Sequence, residues 1–256
     1  MTEEKKKPTN PAAASAKKAD PRSRRGRPRK GRGRRKGQRQ VKEFEHSTIS
    51  LREAEDLIRI IDLKGVVPFV RLASNNPEQI KRVMDAGAHG VIVPMVKSCE
   101  DAEQAVMSVK YPPTGNRSIG LARAQGYGVR FDEYFDWQRD NSIVVVQIEH
   151  IDAVRNLSSI LAVPGVDAYI IGPYDLSGSL GIPGCFDAPE FSEAMECIHN
   201  TAHAAGIPGG VHIVEPDPKE LRRRINQGNR FIAYGIDTRI LDVGCRVGIS
   251  DLKGEL

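Results

Sequence analysis

From residue 50 onward, short β-branched runs alternate with amphipathic segments. Six runs read as strands, at residues 66–71, 91–96, 144–148, 169–171, 209–214 and 231–235. The segments between them carry helix-start signals. Ser50-Leu51-Arg52-Glu53 is a capping box opening a helix to about Leu63, and Asn76-Pro77 caps one that stops at Gly87. Ser98 caps a helix ending near Lys110, residues 152–161 form an amphipathic segment, and further helices are expected over 189–205 and 217–226. Strand, helix, strand in this rhythm implies parallel neighbouring strands. Ahead of the first good run, Val41-Lys42-Glu43-Phe44-Glu45-His46 is a weak strand candidate.

In parallel α/β folds the chemistry collects at the carboxyl ends of the strands. Three runs here end abruptly in charge: Val70 is followed by Arg71, Ile148 by Glu149, and Tyr169-Ile170-Ile171-Gly172-Pro173-Tyr174 by Asp175. Two carboxylates at adjacent strand ends repel each other unless a cation or a proton lies between them. The irregular stretch 111–124 is long for a compact domain, and loops of that length tend to be functional.

Charge divides the chain. Its formal net charge is +5, yet residues 1–40 carry 16 Lys and Arg against 3 Asp and Glu, so the remainder is acidic. Those 40 residues contain no Val, Ile, Leu, Phe, Tyr, Trp or Cys. Such a segment cannot bury enough apolar surface to offset the entropy of ordering and is expected to be a disordered tail. Within it, Arg24-Arg25-Gly26-Arg27-Pro28-Arg29-Lys30 resembles an AT-hook, so residues 22–36 offer a nucleic-acid reading as the alternative to an enzyme. The four cysteines show no metal-ligand spacing, and no apolar run reaches the ~20 residues of a membrane span, which points to the cytoplasm and to no membrane partner.

Taken together, Phe44-Glu45-His46, Val70-Arg71, Val93-Pro94-Met95-Val96, Lys110-Tyr111-Pro112-Pro113-Thr114-Gly115-Asn116-Arg117, Val146-Gln147-Ile148-Glu149 and Gly172-Pro173-Tyr174-Asp175-Leu176-Ser177 resemble the HpcH/HpaI family over roughly residues 43–240. These are metal-dependent class II aldolases on a TIM (β/α)8 barrel. They cleave 2-keto-3-deoxy sugar acids and related 4-hydroxy-2-oxo acids to pyruvate and an aldehyde, through a pyruvate enolate. The resemblance implies Glu149 and Asp175 as ligands of Mg²⁺, Mn²⁺ or Co²⁺, whose preference is for hard oxygen donors. It implies Arg71 over the keto oxygen, Gln147 on the substrate, and the backbone near Tyr174 and Asp175 on the substrate carboxylate. His46 would be the general base, with Asp85 raising its basicity. It also implies a small keto acid as ligand and a homo-oligomer as the working form.

The chain departs from the family at its start. Where relatives have an apolar strand ending in Asp-x-Glu-His, it has Val41-Lys42-Glu43-Phe44-Glu45-His46, with Glu43 in the aspartate's place. The first strand, first helix and most of the second strand are expected to be replaced by residues 1–40, through a frameshift, a displaced start or a rearrangement. The expected architecture is therefore a tail over 1–40 and, over 41–256, a TIM barrel incomplete at its amino terminus and lacking two strands. A catalytically impaired aldolase is one consequence. A different enzyme class, an imine-forming aldolase using Lys97 after the 91–96 strand, would leave the carboxylate pair unused, and nothing marks the CoA site of citrate-lyase-like relatives.

Overall fold

In the computed structural model the described residues, 39–44 and 46–254, lie in one compact unit. The basic stretch 22–36 lies outside them. The elements follow in βα order. β1 (Arg39–Glu43), α1 (Leu51–Leu63), β2 (Val67–Arg71), α2 (Pro77–Asp85), β3 (Gly90–Val93) and α3 (Cys99–Val109) form the first part. α4 (Phe131–Asn141), β4 (Ile143–Ile148), α5 (Ile151–Arg155), α6 (Leu157–Leu161), β5 (Ala168–Ile171) and α7 (Pro173–Ser179) come next. α8 (Pro189–Ala205), β6 (Gly209–Ile213), α9 (Pro218–Asn226), β7 (Ala233–Tyr234) and α10 (Asp237–Gly254) complete the order. No helix among the described residues is long and apolar enough to cross a membrane.

The seven strands pair in chain order, and every pairing is parallel. Among the described residues no pairing joins β7 to β1. A closed (β/α)8 barrel takes eight strands, so this is an α/β fold with a curled, incomplete barrel sheet. Curvature is visible in the packing. Phe69 of β2 and Phe231, just before β7, bring their ring centroids to 5.9 Å, although their strands stand five places apart in the sheet. They belong to an inner cluster with Ile92, Val145, Ala168 and Ile170, with Val41 packed against it. The larger cluster lies between the outer sheet face and the helices, joining Val70, Val91, Val144, Val146 and Ile171 to Ile58, Ile80, Val106, Ile160 and Ile198.

The sequence predicts two missing strands and a tail that runs to residue 40. Instead Arg39–Glu43 is a full strand, in register with β2 from Arg39↔Val67 to Glu43↔Arg71. The physical reason is that parallel pairing is made by the backbone, which needs few apolar side chains at a sheet edge. Val41 faces the inner cluster and Phe44 packs on the outer one, and these two anchors suffice.

The expected helix caps form. Ser50 with Glu53 and Ser98 with Asp101 make reciprocal capping boxes, Asn76 caps α2, and Asp217 caps α9. The 152–161 segment breaks at Asn156 into α5 and α6. The stretch after α3 is not a loop over the carboxyl ends throughout. Lys110 is buried and its Nζ donates to the carbonyls of Gln138, Arg139 and Ser142 at 3.3, 3.0 and 2.8 Å, tying α3 to the last turn of α4. Burial lowers the pKa of this ammonium, and the carboxylate of Asp167, just before β5, opposes the shift. Arg117 lies 4.1 Å over the Tyr111 ring and donates to the Tyr134 hydroxyl at 3.0 Å. Lys110, Tyr111, Gly115 and Arg117 are therefore packed near the amino ends of β4 and β5, while residues 112–114 and Asn116 stay exposed.

Candidate active site

Side chains alternate along a strand, so the inner apolar positions fix which neighbours share their face. On β1 the inner residue Val41 puts Glu43 on the same face, and on β2 Val67 and Phe69 do so for Arg71. On β4, Ile143 and Val145 are inner, so Gln147 follows, and Glu149 comes next just past the strand end. On β5, Ala168 and Ile170 lead to Gly172. On β6, Gly210 pairs with the inner Ile170, which puts His212 inward. A polar rim of Glu43, Arg71, Gln147, Glu149 and His212 therefore sits on the inner face at the carboxyl ends.

Glu149 is its most enclosed carboxylate, 2% exposed. Its Oε1 accepts from the Met95 backbone N–H at 2.6 Å, and its Oε2 accepts from Gln147 Nε2 at 2.5 Å. Met95 reaches this position with φ 54°, a left-handed conformation rare for a residue with a Cβ. The turn after Val93-Pro94 is thus bent to aim one N–H at the carboxylate. Gly172 lies on the other side, bonded through its N–H to the Ile148 carbonyl. A Cβ there would fall 2.9 Å from Glu149 Oε2 and 3.2 Å from Gln147 Nε2. Gly172 is needed for this close approach. Gly172→Ala is expected to push the carboxylate by several tenths of an ångström and cost roughly 10–100-fold in kcat/KM. Thermal unfolding measured beside the kinetics separates that loss from a folding defect.

Asp175 stands in the first turn of α7, three residues past Gly172, and is exposed. Among the described residues no group of three or more His, Cys, Asp or Glu side chains converges. A cation here would have these two carboxylates and would complete its shell with oxygens of substrate and water, as Mg²⁺ sites commonly do. The local structure fits that demand. One carboxylate is buried and rigidly held, a glycine clears the space beside it, and Gln147 Oε1 is buried without a hydrogen bond among the described residues.

The remaining sequence candidates divide. Arg71, largely buried, sets its Nε 2.5 Å from Glu43 Oε2, so the strand-end cation is half of an ion pair with the neighbouring strand. His46 is exposed in the bend between β1 and α1. Asp85 is not brought to it. Asp85 closes α2, where burial raises its pKa and the nearby charges are Arg117, Lys81 and Glu78. The helix runs back from the carboxyl ends toward the amino ends, and its last turn carries Asp85 away from the loop that holds His46. The charges that bear on Asp85 are therefore those of its own helix and of Arg117. Tyr174 is exposed, with its ring edge-on to Phe186 at 5.0 Å. Lys97 lies just before the Ser98 cap of α3, its backbone N–H donating to Asp101 Oδ2 at 2.9 Å.

Sequence reasoning missed the structural parts of the site: the Met95 N–H, the Gly172 clearance, the Glu43–Arg71 pair and His212. The last had a signal, since a lone histidine interrupts an otherwise apolar run from Gly209 to Val214.

The chain is similar to known proteins in sequence and in fold. Residues 41–242 match the family model described as HpcH/HpaI aldolase/citrate lyase. The 5-keto-4-deoxy-D-glucarate aldolase of Escherichia coli O6:H1 is 38% identical over 185 residues, covering 71% of each chain. Among solved structures, an HpcH/HpaI aldolase from Desulfitobacterium hafniense DCB-2 superposes with a TM-score of 0.77 at 31% identity, covering 83% of this chain and 82% of that one. A family protein from Burkholderia cenocepacia J2315 gives 0.78 at 29% identity, covering 83% and 84%.

Proposed function

The chain belongs to the HpcH/HpaI aldolase/citrate lyase family, and from that premise we propose that it is a class II aldolase cleaving a 2-keto-3-deoxy sugar acid or related 4-hydroxy-2-oxo acid to pyruvate and an aldehyde. The supporting observation is the buried Glu149 carboxylate, held between the Met95 N–H and Gln147 with Gly172 cleared beside it. Glu149 and Asp175 would hold a divalent cation, and Mg²⁺, Mn²⁺ or Co²⁺ suits two carboxylate donors. When bound, the cation supplies positive charge that polarises the substrate's 2-oxo group.

The chain's own groups supply the rest. The backbone N–H groups at the start of α7, where no side chain caps the helix, would hold the substrate carboxylate near Tyr174 and Asp175. Gln147 Oε1 would accept from a substrate hydroxyl. His46 would take the proton of the C4 hydroxyl as the C3–C4 bond breaks and its electron pair passes to C3. The aldehyde departs with C4. Arg71 would oppose the negative charge growing on the C2 oxygen, and a proton delivered to C3 completes pyruvate. The working form would be a homo-oligomer, because α10 leaves Ile240, Leu241, Val247 and Ile249 exposed.

Pyruvate release from a panel of 2-keto-3-deoxy acids tests this reading. A chelator is expected to lower the rate by roughly 100-fold or more, and Mg²⁺ or Mn²⁺ to restore it. Borohydride should leave the enzyme unmodified. Chelator-insensitive turnover with borohydride trapping at Lys97 would instead assign imine chemistry.

A further inference from the structure

Beside Asp175, three aromatic rings that the mechanism above does not use lead from the core to the surface. Phe191, at the start of α8, belongs to the outer core. Phe186 packs on it with ring centroids 5.3 Å apart, and Tyr174 meets Phe186 edge-on at 5.0 Å and 82°. Exposure rises along the series, from 7% at Phe191 to 37% at Phe186 and 60% at Tyr174. An edge-to-face contact sets the positive edge of one ring against the negative face of the other, which favours one angle for the outer ring.

The loop that carries Phe186 is tied to the turn that carries Tyr174. Ser177 is fully buried, and its hydroxyl donates to the Tyr174 carbonyl at 2.8 Å and accepts from the Gly184 N–H at 2.9 Å. The Ile182 N–H donates to the Ser177 carbonyl at 3.0 Å. One side chain thereby clamps the first turn of α7 to residues 182–186. Tyr174 stands two residues past Gly172, which borders the Glu149 carboxylate. Deeper than Glu149 the inner face is filled by Val145 and Ile170, so a substrate chain that continues beyond its oxo group is directed outward over the rim. The Tyr174 hydroxyl makes no hydrogen bond among the described residues.

We propose that the Tyr174 side chain, seated by Phe186, is a specificity determinant that binds the aldehyde half of the substrate and selects chains with a hydroxyl on the carbon next to the aldehyde. The proposal rests on the aldolase reading, since only a carbon–carbon cleavage gives the substrate an aldehyde half. A hydroxylated chain has C–H edges that an aromatic face covers and hydroxyls that need partners. Tyr174 offers both a ring and a phenolic O–H able to donate and accept. Phe186 is a positioning residue. Without its edge the Tyr174 side chain regains rotamer freedom, and fixing it on a substrate then costs entropy.

The test runs the reaction in the synthetic direction with Mn²⁺ present, adding pyruvate to glyceraldehyde, which carries the hydroxyl, or to acetaldehyde, which lacks it. Exchange of the pyruvate C3 protons into D₂O is measured beside it, because that step needs no aldehyde. Phe186→Ala is expected to raise KM for glyceraldehyde roughly 3–10-fold, and to leave KM for acetaldehyde and pyruvate near their wild-type values. Phe186→Tyr, which keeps an aromatic edge, should restore the glyceraldehyde KM. Tyr174→Phe should raise the glyceraldehyde KM roughly 3–10-fold through the lost hydroxyl, again without a matching change for acetaldehyde. Ring NMR gives a readout besides turnover. The Tyr174 resonance, identified by its loss in Tyr174→Phe, should shift when glyceraldehyde is added to the pyruvate-saturated enzyme. Equal changes for the two aldehydes, a KM that Phe186→Tyr does not restore, or an unmoved Tyr174 resonance would each overturn the proposal. Wild-type exchange of the pyruvate protons with an unchanged aldehyde KM in all variants overturns the specificity role alone. A wild type that neither exchanges those protons nor forms the addition product overturns the aldolase reading, and the specificity role with it.

Discussion

Glu149→Gln is expected to reduce pyruvate release by about a thousandfold or more while leaving the fold intact. The substitution keeps volume and removes one charge. A carboxylate that holds a polarising cation is worth several kcal/mol in the transition state, and each 1.4 kcal/mol is tenfold in rate. The folded chain can absorb the change. The new amide can still accept from the Met95 N–H, and Gln147 can turn its amide to present Oε1, which has no hydrogen bond among the described residues, to the incoming NH₂. Stability is therefore expected to fall by only about 1–2 kcal/mol. Mn²⁺ titration by calorimetry, denaturant unfolding and steady-state kinetics on the same preparation separate the three effects. Turnover within tenfold of wild type, with the fold intact, would remove Glu149 from the chemistry.

Much of this site was legible because the signals are local. Val144-Val145-Val146 ends at Gln147-Ile148-Glu149, and a strand's length and alternation fix where its last side chains point. The helix starts were equally clear, since a Ser or Asn cap bonds a backbone N–H two or three residues away. Effects that depend on distant partners were not legible. β1 forms from a polar sequence because β2 offers it a backbone ladder. The run at 231–235 predicts a longer strand than the observed Ala233–Tyr234, because the Phe231 side chain serves the barrel interior against Phe69. α4 and α10 were not anticipated. α4 mixes Phe131, Tyr134, Phe135 and Trp137 with charged residues, and its aromatic face reads as helical only once Tyr111 and His89 are there to pack on it.

The same distinction explains Glu43. By sequence it is an acid one methylene longer than the family's aspartate, on a degraded strand, and it read as damage. In the fold it stands in register with Arg71 and forms an ion pair with it, Oε2 lying 2.5 Å from Nε. The longer side chain still reaches the cation, so the rim keeps a charged pair where the apolar lead-in was lost.

Arg71→Lys is expected to cost 10²–10³-fold in kcat with a much smaller change in KM. The guanidinium can pair with Glu43 on its Nε side and still direct its terminal N–H groups toward the site, because its donors form a rigid planar fork. An ammonium is a single point of charge on a flexible stem. With Glu43 beside it, that charge is expected to collapse onto the carboxylate and leave the C2 oxygen unopposed. Losing one donor preorganised toward a developing oxyanion typically costs about 3–4 kcal/mol, which is the basis of the magnitude. Glu43→Gln makes the contrast. It keeps an acceptor for Nε, removes the competing negative charge, and should cost less than tenfold alone. Combined with Arg71→Lys, it should recover part of the lost kcat, because the lysine is no longer drawn to a carboxylate. Strictly additive losses in the double variant would show that Glu43 does not steer the cation. An Arg71→Lys enzyme with wild-type kcat would reduce the pair to a structural tie between β1 and β2.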